Sequence, residues 1–167
     1  MPSDVSVVIL AAGKGTRMRS PLPKVLHPLC GRPLIAWVVD QALALDPARI
    51  VLVVGHGAEA VEAAVRPMVG DLEFTAVVQE PQNGTGHALQ VAAPALNGAG
   101  RVVVLYGDMP LMRPTSLAAL LDAQSQVGDA GAALLTAWPD EARGFGRILR
   151  DGDEDFVGIV EQKDATE

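Results

Sequence analysis

Cys30 is the only cysteine in the 167 residues, so no internal disulfide can form. A lone thiol without a patterned histidine partner is more often a small buried hydrophobe than a nucleophile, and no role is assigned to it. No apolar run reaches the roughly 18 residues needed to cross a bilayer, and Met1-Pro2-Ser3-Asp4-Val5 lacks the basic start of a secretory signal. A soluble, cytoplasmic protein is expected. His27, His56 and His87 have no i, i+4 spacing and no cysteine of ligand type beside them, which speaks against a zinc site. The formal charge of −7 argues against nucleic acid and membrane surfaces as partners, because both are polyanions. Acid is also missing locally. Between Asp4 and Asp40 no acidic residue occurs, yet Lys14, Arg17, Arg19, Lys24 and Arg32 all fall there. This positive island suits a small, highly charged anion such as a triphosphate, or is simply a solvated basic surface.

What is present is apolar and alternating. With 49% hydrophobic residues the chain can bury one domain core. Short β-branched runs at 5–10, 50–54, 73–78, 101–106 and 132–137 predict strands. Ala/Leu-rich segments at 34–45, 58–69, 85–96 and 114–126 predict helices, with starts marked by Gly or Pro. This is an α/β pattern with a mostly parallel sheet and helices on both faces. After Pro139 the texture changes, and strands at 147–150 and 156–160 around Asp151-Gly152-Asp153 predict a hairpin, as an insertion or an edge addition. The charged ending without a closing helix raises the expectation that the chain is part of something longer.

In an open parallel sheet ligands bind beyond the carboxyl ends of the strands. Leu10-Ala11-Ala12-Gly13-Lys14-Gly15-Thr16-Arg17-Met18 passes from a strand into a loop of small residues with two cations, the outline of a phosphate cradle. It lacks the glycine spacing of a P-loop, and Met18 occupies the third place of a dinucleotide fingerprint. Gly55-His56-Gly57-Ala58-Glu59-Ala60 does fit that fingerprint, or else reflects turn geometry alone. Gln79, at the end of the third run, offers a donor and an acceptor of the kind a pyrimidine edge needs. Gly84-Thr85-Gly86 leads into a helix N-terminus, with an ordinary turn capped by Thr85 as the competing reading. Tyr106-Gly107-Asp108 closes the fourth run on the same sheet edge as the basic loop. A carboxylate there suits Mg²⁺, which binds through one or two carboxylates plus substrate phosphates.

In order, Leu10 to Met18, Pro23-Lys24-Val25-Leu26-His27, Gln79 with Gly84-Thr85-Gly86-His87-Ala88, Tyr106-Gly107-Asp108, Gly144-Phe145-Gly146-Arg147-Ile148 and Ile159-Val160-Glu161-Gln162-Lys163-Asp164-Ala165 resemble the nucleoside-diphosphate-sugar pyrophosphorylases. Within that family the chain is most similar to the bacterial uridyltransferases that also carry an acetyltransferase domain. The resemblance implies a Rossmann-like nucleotide-diphospho-sugar transferase fold, with residues 1–167 as the N-terminal portion of the uridyltransferase domain. Leu10, Ala11, Ala12 and Gly13 would hold the nucleotide, and Gln79, Gly84 and Thr85 would face uracil. Tyr106, Gly107 and Asp108 would complete the nucleotide site, with Mg²⁺ on Asp108. Arg17 and Lys24 would neutralise the triphosphate and the transition state, and Gly146 and Glu161 would face the amino sugar. The implied substrates are UTP and N-acetylglucosamine 1-phosphate, the product UDP-N-acetylglucosamine, and the complete protein a homotrimer. Met109 stands where the family more usually has Val. The family's further sugar-contacting and metal-holding asparagines, and its acetyltransferase β-helix, have no counterpart in this sequence.

Overall fold

Four apolar runs become neighbours in one sheet, because none of them can bury both faces alone. The computed structural model describes residues 4–15, 18–127, 131–153 and 155–164, and the chain divides into two units, 1–131 and 132–167. In the first unit, β1 (Val5–Leu10), β4 (Arg49–Val54), β5 (Glu73–Val78) and β6 (Arg101–Tyr106) form a sheet of order β5-β4-β1-β6. Every pairing is parallel, with Val7 beside Ile50 and Val103, and Leu10 beside Val53 and Tyr106. Strand order reverses between β1 and β6, and at such a switch point an open parallel sheet leaves a crevice.

Side chains alternate across the sheet, so each strand feeds two cores. On one face Val5, Val7, Ile9, Ile50, Leu52 and Val54 meet Ile35, Val38 and Val39 of α1 (Leu34–Leu43), Val61 and Val65 of α2 (Ala58–Val69) and Leu117 of α4 (Pro114–Gln126). On the other, Val8, Val51 and Val53 meet Ala88 and Ala92 of α3 (Gly84–Ala92). Burial on both sides explains why these runs read as continuously apolar.

Several boundaries differ from the sequence expectation for local reasons. The helix expected over 34–45 ends at Leu43, because the chain turns into positive φ at Asp46 (φ 49). That expected over 85–96 is α3 followed by a 3₁₀ turn at Ala93–Leu96, since Pro94 has no N–H to continue the α ladder. No strand forms over 132–137. That run has no hydrogen-bonded neighbour among the described residues, and Leu134 and Leu135 stay half exposed, so β propensity lacks the ladder it requires. A small antiparallel pair not foreseen from the sequence joins β2 (Pro28–Leu29) to β3 (Arg32–Pro33). Cys30 sits in its turn at φ 51, exposed rather than buried.

In the second unit β7 (Arg147–Arg150) and β8 (Phe156–Val160) form the predicted hairpin as a two-stranded sheet of their own, not as an edge of the main sheet. Asp151 organises its turn: Oδ1 accepts the N–H groups of Asp153 and Asp155, each at 3.0 Å.

Candidate active site

The carboxyl ends of β1, β5 and β6 surround a cavity of about 300 Å³. Leu10, Ala11, Ala12, Gly13, Lys24, Gln79, Gly84, Thr85, Tyr106 and Asp108 all line it, together with Val25, Gln82 and Ala88. Leu10 and Tyr106 share a register position on adjacent strands, so the switch point itself forms one wall.

Glycines hold the loop and its cation together. Gly15 has φ 58, and a Cβ there would lie 2.7 Å from Lys24 Cβ. Only glycine lets the loop after β1 close over the stem of Lys24. Val25 is buried in the core at 5% exposure and pins the 3₁₀ turn Lys24–Leu26, so its neighbour Lys24 reaches outward. Lys24 Nζ lies 2.5 Å from Asp108 Oδ2, across 84 residues of sequence, with each side chain about one third exposed (34% each). Behind this pair Gly107 donates its N–H to Leu10 O at 2.9 Å, and a Cβ on it would meet Ile35 Cδ1 at 3.0 Å. Gly107, expected in the nucleotide site, therefore lies behind the wall, where its missing side chain lets the Asp108 loop approach β1. The sequence did not reveal Gln41 of α1, whose Nε2 donates to Pro110 O at 2.6 Å and braces that loop.

The phosphate cradle is narrower than expected. Ala11 donates its N–H to Val53 O at 2.8 Å, extending the sheet, whereas the N–H groups of Ala12, Gly13 and Lys14 bond to none of the described residues. Arg17 lies outside the described residues. The positive island does not converge as one patch: Arg32 pairs with Asp40 at 2.8 Å and stacks on Trp37, which holds its guanidinium pKa above the ordinary value through the Asp40 hydrogen bond.

Gln79 is buried at 5% exposure. Its Nε2 donates to Gly84 O at 2.8 Å and lies 3.2 Å from His87 Nδ1. The amide nitrogen is thus engaged within the chain, and the side chain does not offer the donor-plus-acceptor edge read from the sequence. Asn83, not Thr85, occupies the N-cap of α3, and no side chain caps the helix. Gly84 and Thr85, in the first turn where backbone N–H groups have no partner within the helix, line the cavity.

The fingerprint after β4 has a structural cause. A Cβ on Gly57 (φ 69) would lie 2.5 Å from Pro23 Cγ, and one on Gly55 would lie 2.4 Å from Gln82 Nε2 and 2.7 Å from Ala12 O. These glycines let the chain pack against itself. A second hollow of about 360 Å³, lined by Lys14, Gly55, His56 and the 78–82 segment, adjoins them. Gln82 borders both hollows and was not singled out by the sequence, although it follows β5 as Gln79 does.

Among the described residues no three His, Cys, Asp or Glu side chains gather to hold a metal. Asp108 alone fits Mg²⁺ in the mode where substrate phosphates provide most of the ligands. In the second unit, Arg147 pairs with Val160, so Gly146 and Glu161 flank the same end of the β7–β8 hairpin, both exposed.

Residues 7–146 match the MobA-like NTP transferase domain. The chain belongs to that family. This NTP transferase domain is 52% identical over 162 residues to Bifunctional protein GlmU of Paraburkholderia phymatum, an alignment covering 97% of this chain and 34% of that protein. The chain thus spans about a third of the length of the curated relatives it matches. Among solved structures, a Bacillus anthracis protein named as a candidate glucose-1-phosphate thymidylyltransferase superposes with TM-score 0.78 over 95% of this chain and 64% of its own, at 23% identity, a likeness of fold. Rv0371C of Mycobacterium tuberculosis, solved in complex with manganese, is 29% identical with TM-score 0.57 over 72% of this chain and 59% of its own. The NTP transferase domain therefore has the α/β fold expected, and a divalent metal accompanies one structural relative. No helix among the described residues is long and apolar enough to cross a membrane.

Proposed function

We propose that this NTP transferase domain is the nucleotide-binding part of a cytoplasmic uridylyltransferase that joins UTP to N-acetylglucosamine 1-phosphate, releasing pyrophosphate and forming UDP-N-acetylglucosamine. The observation that carries the proposal is the cavity at the carboxyl ends of β1, β5 and β6, which the unbonded N–H groups of Ala12 and Gly13, the Lys24–Asp108 pair and the buried side chain of Gln79 all line. The 52% identity to a protein named GlmU and the NTP transferase match narrow the class.

A phosphate oxygen of the sugar 1-phosphate attacks the α-phosphorus of UTP, and the bond to the departing pyrophosphate breaks in line with it. No protein nucleophile is needed, so the chain contributes positioning and charge. Lys24, freed from Asp108 by the incoming phosphates, places its ammonium where negative charge develops, and Arg17 is assigned the same task. The loop N–H groups orient the phosphates, and Asp108 would hold Mg²⁺. Bound there, Mg²⁺ would neutralise phosphate charge. The base rests against Gln79, Gly84 and Thr85, while Gly146 and Glu161 are assigned to the amino sugar. The complete protein is proposed to be a homotrimer.

The test is pyrophosphate release by the complete protein with UTP, Mg²⁺ and N-acetylglucosamine 1-phosphate. Turnover with UTP and little with CTP is expected. Absence of turnover with every sugar 1-phosphate and nucleoside triphosphate tried would remove the proposal.

A further inference from the structure

Both amide hydrogens of Gln79 have acceptors inside the chain, one in Gly84 O at 2.8 Å and the other in His87 Nδ1 at 3.2 Å. An amide N–H can only donate, so in this contact Nδ1 of His87 is the acceptor. Gly84 O can only accept, so turning the amide round would set two oxygens against each other. Gln79 lines the cavity, and the side-chain atom its internal bonds leave for a ligand is Oε1, an acceptor, with no N–H. Its 5% exposure means that a ligand group placed against it has little water to compensate a wrong pairing.

We infer that His87 is a positioning residue that determines base choice: by taking the second N–H of Gln79 it makes the buried amide a pure acceptor toward the nucleotide. Uracil meets that acceptor with its N3–H. Cytosine presents at N3 another acceptor, and the two repel. Without His87 one of the two anchors on the amide is gone, so its plane can rotate about the remaining bond to Gly84 O and Oε1 is no longer held against the base. His87 stands in the first turn of α3, three residues after Gly84, and so both partners of the amide come from one helix start. The inference rests on the uridylyltransferase reading and adds to it the residue that enforces the base.

The experiment measures UTP and CTP affinity of the complete protein by calorimetry with Mg²⁺, for the native sequence, His87→Leu, His87→Ala and His87→Asn, with melting temperatures alongside. Asn sets an amide oxygen close to where Nδ1 accepts, whereas Leu and Ala offer no acceptor. The expected result is a UTP preference kept by His87→Asn and reduced about tenfold in His87→Leu and His87→Ala, the size of one hydrogen bond, chiefly through better CTP binding. A native protein that binds both nucleotides equally would overturn the uridine reading and this inference with it. A native preference that survives intact in His87→Leu and His87→Ala would overturn the inference alone. So would equal weakening of both nucleotides in all three variants, the mark of a merely structural role.

Discussion

The two units use similar strands to opposite effect. Val7, Val8 and Ile9 of β1 are 0% exposed, whereas Phe156, Val157 and Ile159 of β8 are 52, 63 and 53% exposed. Both are short apolar runs rich in β-formers. The first unit offers a four-stranded ladder and a helical layer on each face, and the second offers one partner strand. An apolar run becomes core only where ladder and layers exist together, because a two-stranded pair has too little surface to bury. The cavity sits at the strand ends of the first kind of unit, where close packing holds loops against a rigid edge.

The largest effect should come from the buried strands. Leu52→Ala is expected to cost about 2–5 kcal/mol, the range for emptying a fully buried site, while Ile159→Ala in the same 167-residue chain should change stability by about 0.5 kcal/mol. Urea denaturation compares them, and equal losses would erase the distinction between the units. Next come the one-third-exposed charges that the first unit holds in place. Lys24→Ala and Asp108→Asn should lower turnover by roughly 10²-fold or more, with melting temperature shifted by only a few degrees. Asp108→Asn should also weaken the Mg²⁺ dependence. Turnover within a factor of a few of the native rate in both variants would separate the pair from the chemistry.

Glycines give a smaller contrast between the units. Gly57→Ala meets Pro23 at a left-handed φ and should cost about 1–2 kcal/mol, whereas Gly152→Ala in the hairpin turn has open space and should be near neutral. Comparable thermal shifts would show that the turn after β4 tolerates a side chain. The smallest effect belongs to an exposed pair of the first unit. Asp4 accepts hydrogen bonds from Arg101 at 2.8 and 3.0 Å, which hold its carboxyl below the ordinary value of 3.8. A carboxylate depressed in the folded state stabilises above its unfolded pKa and loses that contribution as pH falls through the folded one. Asp4→Asn should therefore be slightly less stable than the native chain at pH 7, with the gap closing below about pH 3.8. A gap that widens toward acid would reverse the sign.

Much of the fold was legible. The limits of β1, β5, β6, α2, α4, β7 and β8 follow from period-2 or period-3.6 patterning punctuated by Gly and Pro. The run at 132–137 misled because propensity says nothing about whether a partner strand is at hand. At the candidate site, the segments after β1, β5 and β6, picked out by the rule that ligands collect at strand ends, are those that line the cavity. Gln41 and Gln82 were missed, and Gly107 was named only as a nucleotide contact and not as a spacer, since each acts through contacts made far along the chain and belongs to no local pattern.

The order of strands and helices, the acid-free stretch between Asp4 and Asp40 and the glycine turns are properties of neighbours in sequence, and the amino acids settle them alone. The tertiary structure decided which of those features meet. It brought Lys24 to Asp108 across 84 residues and drew Arg32 away to Asp40. It also engaged the amide nitrogen of Gln79 with Gly84 O and His87 Nδ1, two groups that the sequence pattern around Gln79 did not single out as its partners. Hydrogen bonds and ion pairs are satisfied by whichever partner packing brings within about 3 Å, and packing is set by the whole core rather than by any segment of it.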